Sequence, residues 1–228
     1  CDQHGLLLIR DAAHRLDLLD ASAPSADFVC YSFGPTKEAA CPDGGMLWSR
    51  LAQFAEPARA LTYWGISHDT WRRASSRVHE PITVSGQLGL KLRMTDVNAA
   101  IVQAQLRLWP AQRQRRHSLM DRYRRALAGR QVRILDRSRD DSCLMATVLV
   151  ESRSRAELRT RLADMGVATS DHYPSLAGLL GDTPALCPNA DRFCGSVITL
   201  PMHMGLADED VDRIASAFDG RCAGAPPV

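Results

Sequence analysis

The chain has 228 residues, 45% of them hydrophobic and 24% charged, the composition of a soluble globular protein with enough length to bury a real core. A formal net charge of +2 argues against nucleic acid or an anionic membrane as a partner, and no apolar run reaches the length of a membrane span. Seven cysteines, at positions 1, 30, 41, 143, 187, 194 and 222, are odd in number and lack paired metal spacing, which predicts reduced thiols of a cytosolic protein with no metal site.

The chain opens on Cys-Asp-Gln-His with no pattern of a signal peptide. Gly5-Leu-Leu-Leu-Ile9 is almost wholly apolar and reads as a parallel strand buried on both faces, which puts Asp11 at its carboxyl end, where open α/β sheets bind ligands. Asp27-Phe-Val-Cys-Tyr-Ser32 is a second such strand, with Cys30 inside it as a small hydrophobe. Gly34, Pro35 and Lys37 follow, then Gly44-Gly45 as a sharp turn into the strand Met46-Leu-Trp48. Residues 49–60 read as helical despite Pro57. Trp64 and Trp71 are expected to pack rather than to face a ligand.

Thr95-Asp96 caps a helix with Val97, Ala100, Ile101, Ala104 and Leu108 at helical spacing. Pro110 suits the first turn of a second helix that runs to about Ala128 and stops at Gly129. Asp96 and Asn98 read as helix-start residues. A smaller α+β domain follows, with a strand at Leu144–Val150 and a capping box Ser154-Arg-Ala-Glu157 opening a helix that ends near Gly166. Short strands are expected at 167–170 and 196–200, and a last helix carries Val211, Ile214, Ala215 and Phe218 as its apolar stripe. The expected division is 1–128 for a partial large domain with connecting helices, 129–220 for the small domain and 221–228 for a tail.

A carboxylate, an imidazole, a hydroxyl and an amine, each just past a strand end, can meet over one small anionic ligand. Pyridoxal phosphate (PLP) uses such a set: a lysine for its aldehyde, a carboxylate against its pyridine nitrogen and a hydroxyl on its phosphate. The blocks Ile9-Arg-Asp-Ala-Ala-His14, Ser32-Phe-Gly-Pro-Thr-Lys37 and Asp43-Gly-Gly-Met-Leu47 resemble those of the PLP-dependent sugar aminotransferases of the DegT/DnrJ/StrS type. Gly89-Leu-Lys-Leu-Arg-Met-Thr-Asp-Val-Asn-Ala-Ala100, His172-Tyr-Pro174 and Leu200-Pro-Met-His203 extend the resemblance in the family's order over nearly the whole chain.

The resemblance implies an α/β, fold type I PLP-dependent transferase: an incomplete large domain with a mostly parallel sheet, plus a small C-terminal α+β domain. It implies transfer of an amino group from glutamate or glutamine to a keto sugar, nucleotide-linked or replaced by a keto-cyclitol. Lys37 would hold the cofactor and shuttle the proton, Asp11 would face the pyridine nitrogen, His14 the ring oxygen, and Ser32 the phosphate. Lys91 would reach the cofactor phosphate of the partner subunit in a homodimer, and His172 and Tyr173 would line the substrate pocket. In the related sugar dehydratases a histidine replaces the lysine, and Lys37 argues against that class. The family's Gly-Thr/Ser phosphate loop and its stacking aromatic ring come before this point and are not in this sequence. The resemblance therefore implies weak cofactor binding by this chain alone, and a non-catalytic family member acting as a binding or assembly partner is the alternative. The residue types keep their structural alternatives as well: a loop lysine, a helix-capping aspartate, a solvent-facing histidine and a turn at 172–174.

Overall fold

The computed structural model describes residues 1–16, 26–66, 84, 86–135, 141–181 and 187–219. The chain divides into two compact units, Cys1–Trp109 and Pro110–Val228. The division falls at Trp109/Pro110, earlier than the expected position at 128. Trp71, Cys222 and the tail lie outside the described residues.

The first unit is built on β2 (Phe28–Ser32), which pairs in parallel with β1 (Ile9–Asp11) and antiparallel with β3 (Gly45–Ser49). The described sheet thus has one parallel and one antiparallel pairing where the sequence suggests a mostly parallel one. β2 alternates as a pleated strand should: Val29 and Tyr31 are buried, whereas Phe28, Cys30 and Ser32 turn to the other face. Cys30 is exposed, not the buried hydrophobe that its neighbours suggest. The Gly5–Ile9 run also departs from expectation. Pairing covers only Ile9–Asp11, and Leu6, Leu7, Leu8 and Ile9 are 60%, 56%, 39% and 67% exposed. Burial on both faces needs a packed layer on each, and among the described residues the core lies on one face of this sheet. β1 is fixed instead by Asp27, whose buried carboxylate accepts from Leu8 N at 2.7 Å and pairs with Arg50 at 2.5 Å.

After a short helix α1 (Ala55–Leu61), the long helix α2 runs from Asp96 to Ala126 without a break, Pro110 included. The second helix expected to begin at Pro110 is therefore part of the first. Replacing an interior residue by proline costs about 3 kcal/mol of helix propensity, and packing on either side offsets it: Trp109 is 1% exposed and Leu119 fully buried. Val102 and Trp109 pack against the buried face of the sheet, in one cluster with Val29, Tyr31, Phe33, Ala39 and Cys41. The expected core stripe Val97, Ala100, Ile101, Ala104 and Leu108 is exposed. The inward stripe is Asn98, Val102, Gln105 and Trp109, one residue further round the helix.

In the second unit β4 (Arg133–Ile134), β5 (Ala146–Leu149) and β6 (Val197–Leu200) form an antiparallel sheet in that order. Around it pack α3 (Ser152–Asp164), α4 (Leu176–Leu180), α5 (Pro188–Ser196) and α6 (Asp208–Ser216). All four residues of β6 are buried, and the expected stripe Val211, Ile214, Ala215 and Phe218 joins the core. The capping box expected at Ser154 does not form: α3 starts three residues earlier, with Glu151 at its N-cap, and Ser154 is buried within the first turn. At its far end Gly166, at φ 72°, supplies the left-handed conformation that stops the helix.

Candidate active site

Asp11 ends β1 and Ser32 ends β2. Because the two strands are parallel and Asp11 pairs with Cys30, both side chains stand on the same open face at the same end of the sheet. The Asp11 carboxylate turns the chain as it leaves the strand: Oδ1 accepts from Ala13 N at 2.8 Å, an Asx-type turn that carries half-buried His14. Among the described residues no partner takes the second oxygen, Oδ2. Ser32 Oγ accepts from Gly34 N at 3.3 Å, which leaves its own O–H free to donate.

Lys37 follows directly. Gly34 O accepts from Lys37 N at 2.9 Å and closes a turn with Pro35 at the position where its fixed φ is preset. The Lys37 side chain is half-buried, and its ammonium has no hydrogen-bond or ion-pair partner among the described residues. Lys37 and Lys91 are the only lysines in the sequence, against a large excess of arginine. A half-buried amine that is not an arginine stands out in that background, because only an amine with an accessible pKa forms covalent links to carbonyl compounds.

The loop after Lys37 is pinned at several points that the sequence did not reveal. Gln105 of α2 accepts from Ala40 N at 3.0 Å and donates Nε2–H to Ala40 O at 2.6 Å. Asn98 Nδ2 donates to Asp43 O at 2.7 Å. Cys41 is buried, with its N–H on Phe33 O at 2.8 Å and its thiol donating to Phe33 O and Asp43 O at 3.3 and 3.2 Å. The signal for these contacts was present as polar residues seven apart on one helix face. Gly44 and Gly45 are needed for close approach: a Cβ on Gly45 would meet Tyr31 O at 2.7 Å, and one on Gly44 would meet Met94 Sδ at 2.6 Å.

The residues present fit PLP at this end of the sheet. An unengaged amine, a carboxylate with one open oxygen and a hydroxyl with a free proton match its aldehyde, ring nitrogen and phosphate. A separate open cleft of about 420 Å³ lies between β3, α1 and residues 92–94, lined by Phe28, Leu47, Phe54, Arg59 and Met94 among others. None of Asp11, His14, Ser32 or Lys37 lines it. Lys91 is exposed, its backbone bridged to Tyr63, while Arg93 donates to Arg59 O at 3.2 Å and stacks over the Tyr63 ring at 4.7 Å. Trp64, expected to pack, is 52% exposed.

In the second unit the segment 170–175 is held at each end. Ser170 pairs with Thr199 of β6, and Ser175 Oγ donates to Asp191 of α5. Asp171 is clamped by Arg155 at 2.5 Å and Arg159 at 2.9 Å, both from α3. His172 Nδ1 lies 3.0 Å from Thr199 Oγ1, its ring edge-on to Tyr173, and Nε2 has no partner among the described residues. Tyr173 is 53% exposed.

Residues 1–219 match the model of the DegT/DnrJ/EryC1/StrS aminotransferase family. The chain is 28% identical over 239 residues to the spore coat polysaccharide biosynthesis protein SpsC of Bacillus subtilis, matching 97% of this chain and 61% of that protein. Among solved structures it is similar to the aminotransferase TlmJ from Streptoalloteichus hindustanus (28% identity, TM-score 0.78, 96% of this chain and 59% of the other). It is also similar to the PMP form of the sugar aminotransferase Spr1654 from Streptococcus pneumoniae (26% identity, TM-score 0.81, 93% and 58%). The chain thus spans about three fifths of the length of each of these relatives.

Proposed function

The chain belongs to the DegT/DnrJ/EryC1/StrS aminotransferase family, and from that premise we propose that it carries the lysine-bearing part of a PLP-dependent sugar aminotransferase. The reaction is transfer of an amino group from an amino-acid donor to a keto sugar, nucleotide-linked, in amino-sugar or secondary-metabolite biosynthesis. One observation carries this reading: Asp11 and Ser32 end neighbouring parallel strands on one face, and Lys37, with its amine unengaged, leaves the second of them through a fixed turn.

When bound, PLP supplies an electron sink for the carbon that loses its proton during amino transfer. Around it the chain's own groups divide the work. Asp11 Oδ2 would accept from the ring nitrogen and favour its protonated form. The Ser32 hydroxyl would donate to the phosphate, and His14 would serve the ring oxygen. Lys37 Nζ would be the amine that holds the cofactor and, when free, the base that moves the proton of the reacting carbon. His172 and Tyr173 bind the sugar substrate.

The partner surface belongs to the same reading. A second copy brings exposed Lys91 towards the other subunit's phosphate, and the first unit also exposes the apolar residues Leu88, Leu90, Leu92, Val97, Ile101 and Leu108. A cytosolic location belongs to the same reading; the described cysteines are free thiols, and no described helix is long and apolar enough to cross a membrane.

Titration of the purified chain with PLP, compared with Lys37→Ala, tests the proposal. Lys37-dependent visible absorbance of weak affinity, with little turnover of a nucleotide-linked keto sugar and an amino-acid donor by this chain alone, is the expected result. Absorbance that survives Lys37→Ala overturns it. Lys37-dependent absorbance with no detectable turnover favours the binding-partner reading.

A further inference from the structure

Resting on the assignment of Lys37 as the cofactor-binding amine, we propose that Gln105 is a positioning residue for Lys37, acting through a two-point clamp on Ala40. The stretch from Lys37 to Asp43 has no strand or helix of its own, and its backbone bonds from Lys37 N to Gly34 O and from Cys41 N to Phe33 O bracket residues 38–40 without pairing them. The fixing comes from α2. A carboxamide offers one acceptor and one donor in a plane, and Gln105 uses them on the N–H and C=O of a single residue, as a neighbouring strand would.

Three properties make the clamp more than a chance contact. The partners are 65 residues apart in sequence, so the bonds tie the loop to the scaffold rather than to itself. Glu38, Ala39 and Cys41 on either side of Ala40 are buried, so water does not readily replace a lost partner. Gln105 is half-buried on the inward stripe of the helix, between Val102 and Trp109, which are 3% and 1% exposed. Asn98, two turns earlier on the same stripe, holds the far end of the loop through Asp43 O. The polar residues on this face serve the loop.

The residue type follows from the chemistry. Glutamate in place of Gln105 keeps an acceptor for Ala40 N–H but sets a lone pair against Ala40 O. Leucine fills nearly the same volume and leaves both backbone groups unpaired.

The lysine count makes the test direct, since Lys37 and Lys91 are the only two side-chain amines. The ligand-free full chain is labelled with a low concentration of acetic anhydride, and the Lys37/Lys91 labelling ratio is read by mass spectrometry together with amide exchange. In Gln105→Leu we expect a severalfold change in that ratio and about tenfold faster exchange of the Ala40 amide, with Gln105→Glu intermediate. With PLP present, the pH midpoint of the Lys37-dependent visible band is expected to move in Gln105→Leu. An unchanged ratio with unchanged Ala40 exchange overturns the proposal. So does uniformly faster exchange throughout the first unit, which marks Gln105 as a general stabiliser. If the wild-type chain gives no Lys37-dependent band, the cofactor assignment fails, and labelling and exchange still decide whether Gln105 holds Lys37.

Discussion

Asp11 and Ser32 end neighbouring parallel strands, and the pairing of Asp11 with Cys30 sets them two residues apart in register on one face of the sheet. A ligand that uses both must lie across the strand ends, with the turn from Gly34 to Lys37 beside it. Asp11→Asn separates the two functions of this carboxylate. Asparagine Oδ1 still accepts from Ala13 N, so the turn persists, but the charge proposed to face the pyridine nitrogen is gone. The expected result is PLP binding about ten- to a hundredfold weaker, the equivalent of one charge-assisted hydrogen bond, in an absorbance titration. Wild-type affinity in this variant would separate Asp11 from the cofactor.

Gly45 pairs with Ser32 across β2 and β3, and any side chain there runs into Tyr31 O. Tyr31 O is a backbone atom, so the strand itself has to shift. Gly45→Ala is expected to destabilise the chain by about 1–3 kcal/mol in urea unfolding and to weaken cofactor binding through Ser32. Gly34→Ala is the control at the same end of the sheet: its Cβ would sit 3.6 Å from Ser32 Oγ, ordinary contact, and a much smaller loss is expected.

The sequence made the strand-end residues legible because their types and order are constrained by chemistry, and the buried stripe of α6 because only one apolar face exists there. On α2 two stripes of identical spacing compete. Val97, Ala100, Ile101, Ala104 and Leu108 are the more apolar and lie exposed, whereas Asn98, Val102, Gln105 and Trp109 face inward. Hydrophobicity alone selects the wrong one, since two of the inward residues are polar for the sake of backbone groups 55 and 65 positions away. Such long-range hydrogen bonds show in the sequence only as two polar residues seven apart on one helix face, which does not name their partners. The run Leu6–Ile9 misleads for a related reason: its composition reports a fully covered strand, and the described residues cover one face of that sheet.

Pro110 gives a prediction of opposite sign. It sits inside α2, exposed, where the residue four positions earlier, Leu106, has a carbonyl that proline cannot bond. Pro110→Ala restores that donor and removes the ring. The chain is expected to gain about 1–3 kcal/mol in chemical denaturation, with no change in cofactor absorbance. A loss of stability would mean that the proline ring itself supplies packing that the helix needs.

The ion pairs of the second unit set a pH dependence. Asp208 accepts from Arg115 at 2.6 Å and from Arg122 at 2.9 Å, and Asp212 takes the Nε and Nη2 of Arg122 at 3.0 and 2.5 Å. The hydrogen bond from Arg115 holds the Asp208 carboxyl below the ordinary value of 3.8, and Arg122 does the same for Asp212. A lowered folded-state pKa means that the unfolded chain binds protons first. The contribution is therefore complete above about 3.8 and is lost as pH falls through the lower, folded-state values. Denaturation midpoints followed from neutral pH down to about pH 3 should decline, and Arg122→Ala should flatten that decline. The effect is screened, because these carboxylates are partly exposed, and added salt should reduce it.

The His172–Tyr173 turn offers the last test, because its supports are separable from its chemistry. Among the described residues Thr199 Oγ1 is the single side-chain partner of His172 Nδ1, and Ser170 fixes the same strand position through the backbone at 2.8 and 3.2 Å. Thr199→Val keeps the shape, the β-branch and the backbone ladder and removes only the hydroxyl. Thr199→Ser keeps the hydroxyl. If His172 binds the sugar through Nε2, the valine variant loses control of which ring nitrogen carries the proton, and KM for the keto sugar should rise about fivefold, the equivalent of one neutral hydrogen bond. The rate at saturation should hold, since the proposed reading assigns proton transfer to Lys37. Thr199→Ser should restore the wild-type KM, and nitrogen NMR shifts of His172 should follow the same order. A fall in the rate at saturation with KM unchanged would move His172 out of substrate binding and into the chemical step.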